Sequence, residues 1–235
     1  SNLPSRIPTI LPSFFPTLFP SNLPSLSPTC NPTLLPLINP TISYPLIQTV
    51  STIAGSGTSG NTNGIGTNAK FNIPYGIDIS PDNSYVLITD QSNNQIRKII
   101  LSTNQVNTIA GGNSLGSTNG IGTNALFNAP VGIRIVFDGS YALITDKGNY
   151  QIRKLIISTN EVSFIAGGSS SGNNNGIGTN AKFNNPNGIY ISSDNSYALI
   201  VDSGNHLIRK IIISTLEVST IAGGRGSGNN NGIGT

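Results

Sequence analysis

The chain has 235 residues, of which 9% are charged, and its formal net charge at neutral pH is +3. So few and so scattered charges give no reason to expect nucleic acid or an anionic membrane as a partner. No apolar run approaches the length that spans a bilayer. The sequence holds no Met, so we expect a processed N-terminus or an interior segment of a longer chain.

The first 46 residues form a proline-punctuated tail. Proline recurs at every fourth position, and the residue after it is nearly always Ser or Thr, so the unit is Ser/Thr-x-x-Pro. Proline at this spacing forbids a continuous helix and a central strand, and it pushes the preceding residue toward extended backbone. We therefore predict an extended, polyproline II-like tail.

The middle positions of the tetrads are apolar, as at Ile10, Leu11, Phe14 and Phe15. A bare apolar rod aggregates or binds a partner, which leaves two interpretations: a sheath of sugars, or packing against neighbouring chains. A flexible spacer is a third interpretation, but a spacer needs neither strict register nor exposed Phe. Because the sequence has no Asn-x-Ser/Thr sequon, any glycan should be O-linked.

The tetrads define the candidate modification sites, where we expect covalent glycans. The candidate glycosylation sites are Ser1, Ser5, Thr9, Ser13, Thr17, Ser21, Ser25, Thr29, Thr33 and Thr41. The candidate hydroxyprolines are Pro4, Pro8, Pro12, Pro16, Pro20, Pro24, Pro28, Pro32, Pro36 and Pro40.

From residue 47 to residue 235 the sequence repeats with a period of 56 residues. Ile53, Ile109, Ile165 and Ile221 each stand in the same Ile-Ala-Gly motif, and GIGTNA recurs at the same step. A long period without gaps indicates a repeat architecture. The units are 51–106, 107–162 and 163–218, followed by the start of a fourth.

Each unit is predicted to contain four short strands. In the first unit these are 75–80, 85–89, 95–101 and 106–110, separated by turns rich in Asp, Asn and Ser. Four antiparallel strands per repeat with β-branched cores are typical of a propeller blade. The predicted fold class is therefore all-β, a β-propeller of four-stranded antiparallel blades preceded by the extended tail. The Gly/Asn-rich segment between units is interpreted as a connection between blades.

Three segments carry a resemblance to a known family: DQSNNQIRK at 90–98, DKGNYQIRK at 146–154 and DSGNHLIRK at 202–210. They resemble the NHL repeat, and the third contains the tripeptide Asn-His-Leu literally. The resemblance implies a β-propeller over residues 47–235. It implies little about function, since NHL propellers serve as protein-binding, RNA-binding, lyase and structural modules.

The residues that recur in these segments are interpreted as structural. The Asp precedes a turn, where its side chain can bond its own backbone, and the Asn can take left-handed geometry. We expect the Arg to pair with the Asp or with a neighbouring blade. The set is Asp90, Asn93, Arg97, Asp146, Asn149, Arg153, Asp202, Asn205 and Arg209. Phe71, Phe127 and Phe183 are predicted to wedge between blades.

The blade count does not close a ring. A closed propeller usually has about four to eight blades, and residues 48–54 match the fourth strand of a blade whose other strands this sequence lacks. Either further repeats lie beyond Thr235, or this strand pairs head to tail with another chain, which would build an open filament. The stop midway through a repeat favours the first arrangement.

Little in the sequence indicates catalysis. His206, the one His, is replaced by other residue types in the other units, and a set of metal ligands is missing. We predict no catalytic site, no metal site and no cofactor. Among the acids, only Asp78 does not follow the repeat: its equivalents are Arg134 and Tyr190, so a small-ligand or ion site is considered at this position.

Together these features predict an extracellular structural glycoprotein, a fibre or surface-coat subunit with a rigid propeller and an O-glycosylated extended tail. The tetrads resemble the Ser/Thr-Pro repeats of extracellular matrix and wall proteins from algae and other microbial eukaryotes. The expected partners are further copies of the chain and covalent glycans, without nucleic acid or a membrane span. The alternative is a secreted or surface-tethered propeller that binds a protein or a glycan. An enzyme agrees least with the sequence.

Overall fold

The computed structural model describes residues 49–112, 114–224 and Gly228. The chain divides into two units, Ser1–Gln48 and Thr49–Thr235, and the described residues belong to the second. The predicted tail, with its candidate glycosylation sites and hydroxyprolines, lies outside the described residues.

Three antiparallel five-stranded sheets follow one another along the second unit, and we call them blades 1, 2 and 3. Blade 1 consists of β1 (Gly64–Ile65), β2 (Pro74–Ile79), β3 (Tyr85–Asp90), β4 (Gln95–Ile100) and β5 (Gln105–Ala110). Blade 2 consists of β6 (Gly120–Ile121), β7 (Pro130–Ile135), β8 (Tyr141–Asp146), β9 (Gln151–Ile156) and β10 (Glu161–Gly167). Blade 3 consists of β11 (Gly176–Ile177), β12 (Pro186–Ile191), β13 (Tyr197–Asp202), β14 (Leu207–Ile212) and β15 (Glu217–Ala222).

The strand order is the same in every blade. Four strands form a meander, and the two-residue strand that precedes them pairs antiparallel with the last, giving β1-β5-β4-β3-β2 in blade 1. The strand β7 contacts both β2 and β12, and we call these three the inner strands. The all-β, antiparallel prediction is confirmed, but each blade has five strands rather than four, because Gly64–Ile65 and its equivalents extend the sheet.

Short 3₁₀ helices connect the strands. Gln91–Asn93 joins β3 to β4, and Lys147–Asn149 and Ser203–Asn205 do the same in blades 2 and 3. Each ends in a residue with left-handed backbone, which reverses the chain into the next strand. No helix among the described residues is long and apolar enough to cross a bilayer.

The hydrophobic core lies mainly between blades. Leu87 of blade 1 packs in one cluster with Phe127, Ile133 and Ile144 of blade 2. A second cluster joins blades 2 and 3 in the same way, around Phe183. We therefore name two faces of each blade: the leading face packs on the preceding blade, and the trailing face packs on the following one. The β-branched alternation of the strands supplies both faces.

Residues 49–54 form no strand, although the repeat predicts one there. Their equivalents in the next unit are β5, which pairs with β4. Among the described residues, nothing in front of residue 49 plays the part of β4, so this segment lacks the ladder that holds a strand in place. Val50, in this segment, is fully exposed.

Candidate functional site

A buried cluster of Asp, Asn and Arg stands at the same place in every blade. In blade 2, the Asp146 carboxylate accepts hydrogen bonds from the Asn149 side chain at 2.8 Å and from Arg153 Nη1 at 2.9 Å. It also accepts the backbone N–H of Asn128 at 2.8 Å. The side chains of the ion pair are fully buried. The equivalent pairs are Asp90–Arg97 at 2.7 Å and Asp202–Arg209 at 3.0 Å, with Asn93 and Asn205 bound to the acids.

The guanidinium group of each Arg also fixes the Gly/Asn-rich segment of its own unit. Arg153 Nη2 donates to Asn119 Oδ1 at 2.9 Å, and Nη1 donates to the carbonyl oxygen of Leu126 at 3.0 Å. The Arg153 Cζ atom lies 5.1 Å from the centroid of the Phe127 ring. The equivalents of Asn119 are Asn63 and Asn175. The sequence interpretation missed these Asn residues, although their recurrence before each Gly-Ile-Gly was a usable signal.

Two predicted details of this motif are wrong. Asp146 does not bond the backbone of its own turn but the N–H of Asn128, which lies on the segment before β7. The left-handed residue is not Asn149, which ends a 3₁₀ helix, but the next one, Tyr150, with φ 57°. Its equivalents Asn94 and His206 have φ 54° and 59°. The recurring Asn is needed as a hydrogen-bond donor, since its Nδ2 binds both the acid and a backbone carbonyl oxygen.

Burial dominates the electrostatics of this cluster. It raises the pKa of Asp146 to about 6, although the hydrogen bonds from Asn128, Asn149 and Arg153 lower it. Burial also lowers the pKa of Arg153. The carboxylate is enclosed by donors of its own blade. Such an arrangement can hold the blade together, but it presents no reactive group to a substrate.

Polar contacts cross the junctions between blades. The Thr89 hydroxyl donates to the carbonyl oxygen of Val131 at 2.6 Å, and the Thr145 hydroxyl donates to that of Asn187 at 2.6 Å. The equivalent residue of blade 3 is Val201, which has no hydroxyl to donate. The trailing face of blade 3 is therefore more apolar than the trailing faces of blades 1 and 2.

The leading face of blade 1 and the trailing face of blade 3 are open. Ile77 and Ile79 on β2 are 61% and 53% exposed, whereas their equivalents Ile133 and Ile135 on β7 are 5% and 6% exposed. On the trailing face of blade 3, Val201 is 44% exposed. The same kind of surface is thus buried at the two internal junctions and bare at both ends of the described blades. These two faces are the candidate assembly site.

The inner strands bring together the residues at which the repeat varies. Asp78 Oδ1 lies 3.0 Å from Arg134 Nη1, and Asp78 Oδ2 accepts the backbone N–H of Ile135 at 2.7 Å. The Arg134 Cζ atom lies 4.9 Å from the centroid of the Tyr190 ring. One residue from each blade thereby contributes to a single groove. Across the described part of the chain, no three His, Cys, Asp or Glu side chains are grouped to hold a metal ion.

The chain was compared with protein-family models, none of which matches it, and with curated proteins. SUPPRESSOR OF QUENCHING 1, chloroplastic, of Arabidopsis thaliana is 30% identical over 188 residues, which is 76% of this chain and 18% of that protein. NHL repeat-containing protein 2 of Homo sapiens is 24% identical over 184 residues, which is 74% of this chain and 25% of that protein. The chain therefore spans a quarter or less of the length of these relatives.

Solved structures share the architecture. An auxiliary nutrient binding protein of Bacteroides ovatus is similar with a TM-score of 0.56 and 21% identity, covering 66% of this chain and 39% of that one. One from Bacteroides thetaiotaomicron has a TM-score of 0.52 and 22% identity, covering 61% of this chain and 36% of that one. With the NHL repeat relatives, these structures support the class of fold: an all-β propeller of the NHL type.

Proposed function

We propose that this chain is an extracellular structural subunit that assembles head to tail. In the assembly, the trailing face of blade 3 packs on the leading face of blade 1 of a second copy. The observation that carries the proposal is the contrast between Ile77, 61% exposed, and its equivalent Ile133, 5% exposed. The proposal includes an extended tail with O-linked glycans, on the candidate residues of the tetrads, that coats or links the propellers.

The two open faces have the apolar residues of the internal junctions. Where blades 1 and 2 meet, Leu87 and Ile96 of the trailing face pack with Phe127 and Ile133 of the leading face. The equivalents on the open faces are Leu199 and Ile208 on blade 3, and Phe71 and Ile77 on blade 1. Burying apolar surface stabilises an interface by about 25 cal/mol per Å². Because the two faces differ, the contact is heterologous: it forms a ring if the rotation between copies closes and a filament if it does not, and we propose the filament.

The recurring residues support a structural rather than a catalytic role. The Asp and Arg side chains of all three clusters are fully buried and hydrogen-bonded within their own blade. The left-handed position occupied by His206 is filled by Asn94 and Tyr150 in the other blades. Its geometry therefore depends on the backbone and not on an imidazole. We assign no catalytic role to this chain.

The test of assembly uses two isoleucines that are equally exposed. Ile77 lies on the open leading face and is 61% exposed, and Ile177 on the outer strand of blade 3 is 60% exposed. The equivalents of Ile177 are exposed in every blade, so this position belongs to no junction. We expect the wild-type chain and Ile177→Glu to form filaments in electron micrographs, and Ile77→Glu to remain monomeric, because a carboxylate resists burial in an apolar junction.

A wild-type chain that stays monomeric at every concentration in sedimentation velocity would contradict the assembly. So would filaments of Ile77→Glu that match the wild type. The first result would indicate that further blades of a longer chain cover the open faces, and the second that the filaments form through another surface.

The tail proposal has its own measurement. In material from the native source, peptides from residues 1–46 should have masses far above those calculated from the sequence, because sugars are attached to the tetrads. Unmodified masses would contradict the glycan sheath and leave packing of tails against each other as the explanation for their apolar positions.

A further inference from the structure

A groove opens along the inner strands of the three blades, and Ile79 of the open leading face borders it. It has a volume of about 370 Å³, within the range of about 300–1,000 Å³ that small-molecule sites occupy. Its walls include Asp78 from blade 1, Arg134 and Phe137 from blade 2, and Tyr190 and Asn195 from blade 3. The buried Asp–Asn–Arg clusters contribute nothing to it.

The polar part of the groove is a neutral pair of opposite charges. Asp78 and Arg134 form an ion pair at 3.0 Å, so their net charge is zero. Each Asp78 oxygen accepts one hydrogen bond from the protein, and a carboxylate oxygen can accept a second. Within the described residues, Arg134 donates through Nη1 alone, which leaves N–H groups of Nε and Nη2 free for a ligand. The groove can therefore both accept and donate hydrogen bonds over a short distance.

The apolar part of the groove consists of two aromatic rings. Tyr190 is 55% exposed and Phe137 is 77% exposed. Exposed aromatic side chains bury a large area when a ligand covers them, and they lose little conformational entropy in doing so. One face of Tyr190 is already covered by the Arg134 guanidinium at 4.9 Å, which fixes the orientation of the ring.

These two parts select a class of ligand. An anion would meet the Asp78 carboxylate, and a cation would meet the Arg134 guanidinium. A neutral sugar ring has hydroxyl groups that donate to a carboxylate and accept from a guanidinium, together with an apolar face that packs on an aromatic ring. We propose that this groove is a binding site for a neutral glycan, with Asp78, Arg134 and Tyr190 as the residues that contact it.

The position of the groove at varied repeat residues agrees with this assignment. The site occurs once among the described blades, because the equivalent inner-strand positions are Asp78, Arg134 and Tyr190 rather than three copies of one residue. A structural position would repeat, as the buried Asp and Arg do in each blade. The three residues form a site only when blades 1, 2 and 3 lie side by side.

The test is isothermal titration calorimetry of the full chain with defined oligosaccharides. Cellotetraose, mannotetraose and xylotetraose serve as neutral ligands, and tetragalacturonate serves as the acidic counterpart. We expect at least one neutral ligand to bind and the acidic one to bind at least about tenfold more weakly. Tyr190→Ala should weaken neutral binding by about tenfold or more, and Phe137→Ser, a change at a highly exposed residue, should weaken it as well. The control Tyr75→Ala, at an exposed tyrosine outside the groove, should bind like the wild type.

Several results would overturn the assignment. They are a failure of all neutral ligands to bind, a preference for tetragalacturonate, or binding that Tyr190→Ala and Phe137→Ser leave unchanged. Assembly is measured separately by sedimentation velocity, so the loss of glycan binding and the loss of head-to-tail packing are distinguishable.

Discussion

The middle blade and the two end blades share a fold but differ in what covers them. The buried ion pairs are the same in all three, since the side chains of Arg97, Arg153 and Arg209 are fully buried wherever the blade stands. The exposure of the apolar faces differs between blades, since Ile133 is buried between blades and its equivalent Ile77 is exposed. The inside of a blade is therefore self-contained, whereas its faces depend on a neighbour, as in other repeat proteins.

The largest effect should come from a change inside a blade. In Asp146→Asn the Arg153 guanidinium loses the one acidic partner it has among the described residues while remaining fully buried. Breaking one side of a buried pair costs about 3–5 kcal/mol, and we expect a loss of this size in the free energy of unfolding from urea denaturation. Asp202→Asn in blade 3 should cost about as much, because Arg209 is equally buried there.

The exposed Glu161 supplies the control, and Glu161→Gln should change stability by less than about 0.5 kcal/mol. A much smaller loss for Asp202→Asn than for Asp146→Asn would break the comparison. It would mean that the pair depends on the following blade and not on its own.

A smaller loss of stability, one that depends on the neighbouring blade, is expected from substitution of a glycine on an inner strand. A Cβ atom at Gly132 would overlap the carbonyl oxygen of Asn187 on the next blade, and one at Gly76 would overlap that of Val131. At the equivalent Gly188 the nearest atom is only a Val201 methyl carbon at 3.3 Å. Gly132→Ala should therefore lower the free energy of unfolding by about 1–3 kcal/mol.

Gly188→Ala should leave the stability of the isolated chain within about 0.5 kcal/mol of the wild type. It should nevertheless prevent filaments. In the assembly, the added methyl group would overlap the backbone of the second copy, as a Cβ atom at Gly132 would overlap the carbonyl oxygen of Asn187. Normal filaments of Gly188→Ala would show that the copies do not pack like blades. Equal destabilisation by Gly132→Ala and Gly188→Ala would show that the junction is not the cause.

The sequence predicted most of each blade because the signals were local. The strands predicted at 75–80 and 85–89 are observed at Pro74–Ile79 and Tyr85–Asp90. In both, β-branched residues stand at alternate positions, and proline or turn residues bound the segment. The strand Gly64–Ile65 was missed, since two residues carry no alternation and Gly disfavours strands. Its pairing with β5 is a tertiary contact made across the blade.

The candidate sites were harder to predict from the sequence than the strands. The Asp78 position was singled out by its variation, but its contact with Arg134 depends on neighbouring inner strands that lie 56 residues apart in the chain. Residues 49–54 show the opposite error, because repeat equivalence predicted a strand that lacks a partner strand among the described residues. Local pattern identifies an element, whereas its neighbour decides whether the element forms.

The smallest expected effect lies in turns that are exposed in all blades. It tests whether the type of residue in the turn, rather than the neighbouring blade, sets the pKa of the Asp. The Ser80 hydroxyl donates to the Asp82 carboxylate at 2.6 Å, and with the Ser84 donors it lowers the pKa of Asp82 to about 2. Asp138 keeps the equivalent Ser140 donors, which lower its pKa, but Val136 replaces the other serine. We expect Ser80→Ala to raise the pKa of Asp82 in a carboxyl NMR titration, while the pKa of Asp194 stays at about 2.

The sign of the pH dependence follows from the lowered pKa. The ionised Asp82 stabilises the fold above the ordinary carboxyl pKa of about 4, and this contribution is lost as the pH falls from about 4 through about 2. In Ser80→Ala the loss should be complete at a higher pH. An unchanged pKa of Asp82 in Ser80→Ala would mean that the Ser84 donors alone stabilise the carboxylate. Asp82 and Asp138 should then have similar pKa values, because Asp138 has the equivalent Ser140 donors. A rise in pKa confined to Asp82 would instead show that a single serine sets the difference in pKa between blades, with no contribution from the neighbouring blade.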